Sequence, residues 1–361
     1  MKIARIEPIL IAVPFSYGGP LQTGPNAFTS MDTLFVRVET DTGITGWGEA
    51  YGMRTCRVTR AAFEDLVLPL AVGRDCSDIA ALMTELQRRL HNSGRNGPVG
   101  FALSGLDIAL WDIAGKAAGM PLYRLLGGRA AAPVPVYASL LRYGDAGLVE
   151  RNAAAAVERG YELVKVHEIT EACVAAARAA IGPAIPLMVD CNCPWPAEEA
   201  VAMARQLTRQ NLKWLEEPVW PPDDYAGLAR VRREGGVPVA AGENAGTPQD
   251  FLALGQAVDF IQPSLPKIGG ITALRQIIET AKARGVAVAL HSPFFGPSLI
   301  ASLHVIAALL PGGVVERFYC DLEASPLGEA VEASDGMMHV PDGPGLGLTV
   351  DERVLARYRV A

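Results

Sequence analysis

The feature that most constrains the fold is the alternation of short β-rich segments with helical segments from residue 134 onward. The helical segments between them, such as Ala197–Gln210 and Gly270–Arg284, have amphipathic spacing. Strands that alternate with helices are typical of a parallel sheet, and eight of them favour a (β/α) barrel of the TIM type over an open sheet. The predicted strands are Val134–Ser139, Leu163–His167, Leu187–Cys191, Leu212–Glu216, Val237–Gly242, Phe260–Pro263, Val286–His291 and Val314–Phe318.

The residues before this region follow a different pattern. Thr33–Thr40 predicts a strand, Asp41-Thr42-Gly43 a turn, and Ile44–Glu49 the returning strand of a hairpin, after which the pattern to Gly128 is largely helical. We therefore expect an α+β unit at residues 1–128 and the barrel at residues 129–324. Residues 325–361 are too few for a domain, and we expect them to pack back on the first unit.

The overall composition excludes several classes of function. The net charge of −7 and the pI of about 5.4 argue against a nucleic-acid-binding face. No stretch reaches the roughly 20 apolar residues that span a bilayer, and charges occupy the start of the chain where a signal peptide would be apolar. Six scattered cysteines predict reduced thiols in the cytoplasm, with Cys191 and Cys193 only a weak zinc signal.

Polar residues recur at the predicted strand ends in step with the strands. Successive intervals from residue 165 to residue 316 are 25, 26, 27, 21, 27 and 25 residues. The carboxyl ends of barrel strands converge at one face, where barrel enzymes carry their reactive groups. The residues at these ends are Lys165, His167, Asp190, Glu216, Glu243, Ser264, His291 and Glu316.

Two groups of residues within this series indicate a metal site and a catalytic base. Asp190, Glu216 and Glu243 come from consecutive strands, and such hard oxygen ligands suit Mg²⁺. Lys165 and His167 lie two residues apart on one strand and therefore face the same side. A divalent cation near Lys165 would lower the pKa of its amine, which could then act as a base.

Several sequence motifs follow one another in a characteristic order. Five of them are Asp190-Cys191-Asn192, Trp214-Leu215-Glu216-Glu217-Pro218, Ala241-Gly242-Glu243-Asn244, Lys267-Ile268-Gly269-Gly270 and Asp342-Gly343-Pro344-Gly345-Leu346-Gly347. With these motifs the chain resembles the mandelate racemase branch of the enolase superfamily over essentially its whole length. The segment from Ser104 to Lys116 is similar to that branch's N-terminal signature.

The resemblance implies an α+β capping domain over a modified barrel, Mg²⁺ held by the three carboxylates, and a small-molecule carboxylate substrate. It implies Lys165 as a base on one face of the substrate and His291 on the other. Glu316 matches an acid that hydrogen-bonds the substrate carboxylate. Homo-oligomerisation is also an expectation from the family.

Two departures from the family pattern bear on the reaction. His167 stands where the branch commonly has a second lysine, and Ser264 stands where an aspartate would orient His291. In the serine-protease template, neutralising such an aspartate lowers the rate by about four decades. The muconate-lactonising branch instead uses a lysine near this strand end, a place that Lys267 could fill.

These features favour a one-base reaction over racemisation. Lys165 would remove the α-proton of a hydroxy acid, and His291, Lys267 or His167 would protonate a leaving hydroxide. An acid sugar is the expected substrate. Alternatives are a cycloisomerase or lactonising reaction, a racemase or epimerase, and, from another class, a non-catalytic carboxylate-binding protein.

Substrate-binding candidates lie in the N-terminal loops and at the barrel rim. An aromatic rim favours a smaller, hydroxyproline-like ring over a fully hydroxylated sugar. The candidates are Tyr17, Tyr51, Arg54, Asn192, Trp195, Phe294 and Phe295.

Overall fold

The N-terminal unit is a small antiparallel sheet covered by helices. The computed structural model describes residues 1–20 and 27–361. Strands β1 and β2 pair over most of their length, and β3 is the predicted return strand of the hairpin. The elements are β1 (Ile3–Ser16), β2 (Ser30–Thr40), β3 (Thr45–Ala50), α1 (Cys56–Ala62), a π-helical turn (Phe63–Val67), α2 (Leu68–Ala71), α3 (Ile79–Arg89), α4 (Pro98–Ala117) and α5 (Leu122–Leu125).

Helix α4 is buried on most of its faces because it lies between this sheet and the barrel. Its backbone approaches β3 so closely that a Cβ at Gly48 would lie 2.0 Å from the carbonyl oxygen of Gly105. Only glycine allows such contact. The Gly-Trp-Gly segment of the hairpin is therefore a helix-packing site.

The second unit contains all eight predicted barrel strands, which pair in parallel. A helix follows each strand except the last. The elements are β4 (Val134–Leu140), α6 (Ala146–Glu158), β5 (Val164–Val166), α7 (Glu171–Ile181), β6 (Leu187–Asp190), α8 (Ala197–Leu207), a 3₁₀ turn (Thr208–Gln210), β7 (Leu212–Glu216), α9 (Tyr225–Glu234), β8 (Val239–Ala241), α10 (Pro248–Leu254), β9 (Phe260–Ile261), α11 (Gly270–Ala283), β10 (Ala287–Val288), α12 (Pro297–Leu309) and β11 (Val315–Phe318).

The eight barrel strands form one continuous parallel ladder in the order β11, β4, β5, β6, β7, β8, β9, β10. Between β10 and β11 the connection is made after the strand ends, where the Ser292 amide donates to Glu316 Oε2 at 3.1 Å and the Glu316 amide donates to Ser292 Oγ at 3.1 Å. Strands β9 and β10 are shorter than predicted. Ser264 and His291 consequently lie on irregular segments at the mouth. A hydrogen bond from the His291 amide to the Pro263 carbonyl, at 3.1 Å, connects the two segments.

Apolar side chains fill the barrel below its mouth. Tyr137, Met188, Trp214 and Ala240 come from β4, β6, β7 and β8 and form one buried cluster. The polar groups at the strand ends therefore stand on a packed floor, as is usual for barrels of this size.

The last part of the chain contacts both units. Strand β12 (Asp321–Leu322) pairs with β1, and β13 (Met337–Met338) pairs with β4. Helix α13 (Glu352–Tyr358) packs against β1. Within the described residues, no helix is both long and apolar enough to cross a membrane.

Candidate active site

Lys165 occupies the centre of the barrel mouth. It lies in the middle of β5, its side chain is fully buried, and Nζ contacts three carboxylates: Glu316 Oε1 at 2.7 Å, Glu216 Oε1 at 2.9 Å and Asp190 Oδ2 at 3.5 Å. Burial alone would lower the pKa of Lys165, but the charges of Glu216 and Glu316 outweigh it and raise the pKa well above its ordinary value. Among protein groups alone, the direction is thus opposite to the lowering predicted from a nearby cation.

His167 directly follows β5 and contacts the same carboxylate oxygen as Lys165, Asp190 Oδ2. Its Nδ1 is 2.6 Å from the Leu140 carbonyl oxygen, so this nitrogen carries a proton, and its Nε2 is 3.2 Å from Asp190 Oδ2. Burial would raise the pKa of Asp190, but Lys165 and His167 lower it below its ordinary value. The backbone amide of Asn192 also donates to Asp190 Oδ1 at 2.9 Å. Asp190 is therefore an ionised carboxylate in contact with both Lys165 and His167.

Glu216 is aligned with Asp190 in the β6–β7 register and is also buried. Its Oε2 accepts a hydrogen bond from Trp214 Nε1 at 2.9 Å. Burial raises the pKa of Glu216 well above its ordinary value, Lys165 opposes this, and Asp190 and Glu316 add to the rise. The repulsion among these carboxylates is the electrostatic signature of a site that attracts a cation.

His291 faces the mouth from the opposite side and bridges two groups. Its Nε2 is 2.6 Å from Glu243 Oε2 and its Nδ1 is 3.0 Å from Ser264 Oγ. Burial would raise the pKa of Glu243, but His291 and Lys267 lower it to about 2. Ser264 thus takes the position beside Nδ1 that an orienting aspartate would have, and it holds the ring without supplying a negative charge.

The carboxylates at the mouth have the donor chemistry that Mg²⁺ requires, and three of them follow consecutive strands. In the described parts of the chain, no group of three or more His, Cys, Asp or Glu side chains stands in a geometry that holds a metal ion directly. Lys165, His167 and His291 contact the oxygens that would serve. The assignment of Asp190, Glu216 and Glu243 as the ligand set stays a prediction.

A second polar cluster behind these carboxylates was not predicted from the sequence. The buried Glu217 receives hydrogen bonds from the Gly242 amide at 3.3 Å, from Cys193 Sγ at 3.1 Å and from Asn244 Nδ2. Burial and then Glu243 raise the pKa of Glu217 to about 7. Cys193 and Glu217 have positive φ angles of 54° and 46°, a conformation that is costly for such residues. The cluster therefore holds the loops after β6, β7 and β8 in a constrained arrangement.

Two of the predicted substrate-binding residues, Tyr51 and Phe294, lie with the catalytic candidate Lys267 near His291. Lys267 Nζ is 4.7 Å from the centre of the Tyr51 ring, which lies 6.0 Å from the ring of Phe294. Phe294 in turn lies 5.7 Å from the His291 ring. Burial and then Glu243 raise the pKa of Tyr51 to about 12, so its hydroxyl stays protonated.

The other predicted binding residues are dispersed. Tyr17 stacks on Tyr143 at 5.7 Å and its hydroxyl donates to the Pro20 carbonyl at 2.9 Å. Arg54 is exposed with its guanidinium 5.5 Å from the Phe28 ring, and Trp195 forms a backbone bridge with Val219. Asn192 lies at the mouth beside Asp190.

Phe295 is 3% exposed and lies 5.0 Å from the buried guanidinium of Arg317. It belongs to the same core cluster as Phe294, and its place at the rim stays a prediction.

Comparisons with known proteins agree with this architecture. Residues 5–127 match the mandelate racemase/muconate lactonizing enzyme N-terminal domain, and residues 148–354 match the enolase C-terminal domain-like family. D-galactarolactone cycloisomerase of Agrobacterium fabrum is 32% identical over 362 residues, covering 94% of this chain and 95% of the relative. Arabinonate dehydratase of Saccharolobus solfataricus is 32% identical over 343 residues, covering 91% of each chain.

Solved structures give the same result. The 3,6-anhydro-D-galactonate cycloisomerase from Zobellia galactanivorans has a TM-score of 0.86 at 29% identity, with 100% of both chains covered. The L-talarate dehydratase from a Polaromonas species, complexed with Mg and L-glucarate, has a TM-score of 0.85 at 29% identity, covering 100% of this chain and 98% of that one. The chain therefore belongs to the mandelate racemase/muconate lactonizing enzyme family of the enolase superfamily.

Proposed function

We propose that the protein is a Mg²⁺-dependent enzyme that abstracts the proton α to the carboxylate of an acid sugar and then eliminates the β-hydroxyl group as water. The observation that carries this proposal is the position of Lys165. Its amine is fully buried, points into the mouth and is surrounded by carboxylates from β6, β7 and β11. A base held in this way reaches a substrate bound over the mouth without competition from water.

The chain's own residues provide a route for each proton. Lys165 Nζ takes the α-proton, and an imidazolium at His291 gives a proton to the departing hydroxide, so the elements of water leave and an enol remains that becomes a 2-keto acid. The 2.7 Å contact between Lys165 and Glu316 orients the amine, and Ser139 Oγ holds that carboxylate at 2.8 Å. A direct hydrogen bond from Glu316 to the substrate carboxylate stays a prediction.

Asp190, Glu216 and Glu243 would hold the Mg²⁺ ion, whose chemical contribution when bound is to neutralise negative charge that develops on the substrate carboxylate. Neighbours constrain each of these ligands: Asn192 and His167 contact Asp190, Trp214 contacts Glu216, and His291 contacts Glu243. Relatives crystallised with magnesium support the choice of metal.

The role of His291 separates dehydration from racemisation. A racemase needs a competent base on each face of the substrate, and an aspartate beside Nδ1 would stabilise the imidazolium of the second base. Ser264 provides no charge at this position. The missing charge beside Nδ1 supports elimination over racemisation. His167 and Lys267 remain the other candidates for the acid.

Cycloisomerisation is the second candidate function. It shares the same half-reaction, α-proton transfer coupled to β-elimination, and two relatives that match over more than nine-tenths of this chain are named as cycloisomerases. Acid-sugar dehydratases match over similar lengths. These names favour an acid sugar over the hydroxyproline-like substrate that the aromatic rim suggested.

The test is incubation with Mg²⁺ and a panel of acid sugars and their lactones in D₂O. Formation of a 2-keto acid supports dehydration, and ring opening or closure without loss of water supports cycloisomerisation. Deuterium incorporation at the α-carbon without either product favours epimerisation. Absence of both exchange and turnover with every acid in the panel would refute α-proton abstraction for those substrates and would favour a non-catalytic carboxylate-binding protein.

We also propose a division into residues 1–128, 129–324 and 325–361, which the contacts of β12 and α13 with β1 support. A homo-oligomer in the cytoplasm is part of the proposal. All six cysteines are free, five of them buried, which supports a reducing compartment.

A further inference from the structure

We propose that Arg142 binds a second carboxylate of the substrate, so that the enzyme prefers sugar dicarboxylic acids to the corresponding monocarboxylic acids. This inference rests on the proposed function, because it assigns a binding residue to the far end of a substrate whose reacting carboxylate lies over Lys165. No sequence motif includes Arg142, which follows the end of β4 by two residues.

Arg142 lies on the Lys165 side of the mouth. Its Nε donates to the His167 carbonyl at 2.7 Å, and its Nη2 donates to the Cys191 carbonyl at 3.0 Å and to Asn192 Oδ1 at 3.1 Å. These acceptors follow β5 and β6, directly beside Lys165 and Asp190. The guanidinium therefore has a fixed position next to the reacting groups.

The charge of Arg142 has no counterion in the described part of the chain. All three acceptors are uncharged, and Arg142 forms no ion pair within 4.0 Å among residues 1–20 and 27–361. The buried Arg317, in contrast, pairs with Glu332. The nearby carboxylate of Asp190 contacts Lys165 and His167 instead.

Part of the guanidinium is also free to bind a ligand. The described hydrogen bonds engage Nε and Nη2, whereas Nη1 has no partner among the described residues. Arg142 is exposed, so its remaining N–H groups are accessible to a ligand that enters the mouth. A carboxylate suits this planar donor group, and hydrogen bonds between two charged groups are roughly twice as strong as neutral ones.

The three hydrogen bonds that hold Arg142 reduce the entropy cost of binding a carboxylate. A free arginine side chain loses rotamer freedom when it binds a ligand, but Arg142 is already held by three hydrogen bonds. The protein's net charge of −7 gives no general attraction for a doubly charged anion. A local, uncompensated cation is therefore needed if a dicarboxylate is to bind in preference to a monocarboxylate.

The experiment compares acids that differ only at the far end: galactarate with galactonate, and glucarate with gluconate. Dissociation constants are measured by calorimetry with Mg²⁺ present, and kcat/KM where turnover occurs. For the native protein we expect a preference for the dicarboxylate of about 10- to 100-fold, the range of one charge-assisted contact. In Arg142→Gln the ratio should fall to within about twofold, and Arg142→Lys should keep part of it.

The ratio separates recognition from structural damage, because Arg142 also holds two backbone carbonyls. Distortion of the mouth would weaken both acids of a pair equally and leave the ratio unchanged, which would overturn the inference. Arg151→Gln is the matched control, since Arg151 is an exposed arginine whose Nη2 donates to the Gly18 carbonyl at 3.0 Å; it should keep the native ratio. Tighter binding of 6-phosphogluconate than of glucarate would also overturn the inference.

The same samples distinguish this inference from the proposed function. Exchange of the α-proton in D₂O tests the function, whatever the far end of the acid. If no acid exchanges but dicarboxylates bind in an Arg142-dependent manner, the function fails and the Arg142 site stands. If exchange occurs and the Arg142→Gln ratio equals the native one, the function stands and the Arg142 site fails.

Discussion

Glu49 connects the cap to the barrel through a buried carboxylate whose protonation should control stability. It is 4% exposed, and its Oε2 accepts hydrogen bonds from the Ser298 amide at 2.9 Å and from the Ser298 hydroxyl, in the first turn of α12. Burial raises the pKa of Glu49 from 4.5 to about 7, although the bonds from Ser298 oppose the rise. We expect Glu49→Gln, which stays neutral, to remove this source of pH dependence.

The sign and size follow from proton linkage. Because the folded pKa lies above the unfolded one, the folded protein binds the extra proton between pH 4.5 and about 7. The contribution of Glu49 is fully present below pH 4.5 and is lost as the pH rises through 7. At about 1.4 kcal/mol for each pH unit the full loss is about 3 kcal/mol, of which about 2 kcal/mol falls between pH 5.5 and 8.

The measurement is the free energy of unfolding in urea for the native protein and Glu49→Gln from pH 4.5 to 8. The difference between the two should change by about 2 kcal/mol from pH 5.5 to 8, in favour of the variant at high pH. Glu279→Gln is the control, because Glu279 is exposed on α11 and makes none of the described polar contacts. Parallel curves for the native protein and Glu49→Gln would refute the linkage, and a difference of opposite slope would refute its sign.

Three further predictions concern the site and its support. Lys165→Met should lower α-proton exchange in D₂O by at least about 10²-fold, because it removes the base, and should destabilise the fold by about 3–5 kcal/mol in urea by leaving buried carboxylates unpaired; retained exchange would exclude Lys165 as the base. Ser264→Asp should make His291 a better second base, raising α-proton exchange relative to dehydration by about tenfold or more in the same assay; an unchanged ratio would contradict the role of Ser264. Burial lowers the pKa of His304 from 6.5 to about 4, so its contribution to stability is present above pH 6.5 and decreases as the pH falls towards 4. Between pH 6.5 and 4 we therefore expect the free energy of unfolding of His304→Gln, measured in urea, to fall by about 3 kcal/mol less than that of the native protein. An equal fall in both proteins would exclude His304 as a source of this pH dependence.

The barrel and its cap could be predicted from the sequence because their signals are local. Each strand is a short apolar run, and the alternation with helices requires parallel pairing. The boundaries of β9 and β10 could not be predicted, because strand-like residues continue as far as Pro263 and His291 after the ladder has ended. Strand ends depend on hydrogen bonds to neighbours that are distant in the chain.

The residues of the candidate site likewise divide into those that the sequence predicted and those that it did not. The regular intervals between Lys165, Asp190 and Glu216 place them at one barrel face without any knowledge of contacts. Glu217 was missed although it directly follows Glu216, because nothing in its local pattern shows that its side chain turns behind the mouth. Arg142 was missed because the acceptors that orient it come from two other strands.

The sequence by itself determined the fold class, the family and the set of acidic and basic residues at the mouth, since these depend on periodicity and residue type. Only the tertiary structure decided which of these groups touch. Ser264 and His291 are 27 residues apart, and Glu49 and Ser298 are 249 apart, so each pair meets only when the barrel and the cap are assembled. The charge around Lys165 follows from that assembly too, because Glu316 reaches it only once the last strand lies beside the first.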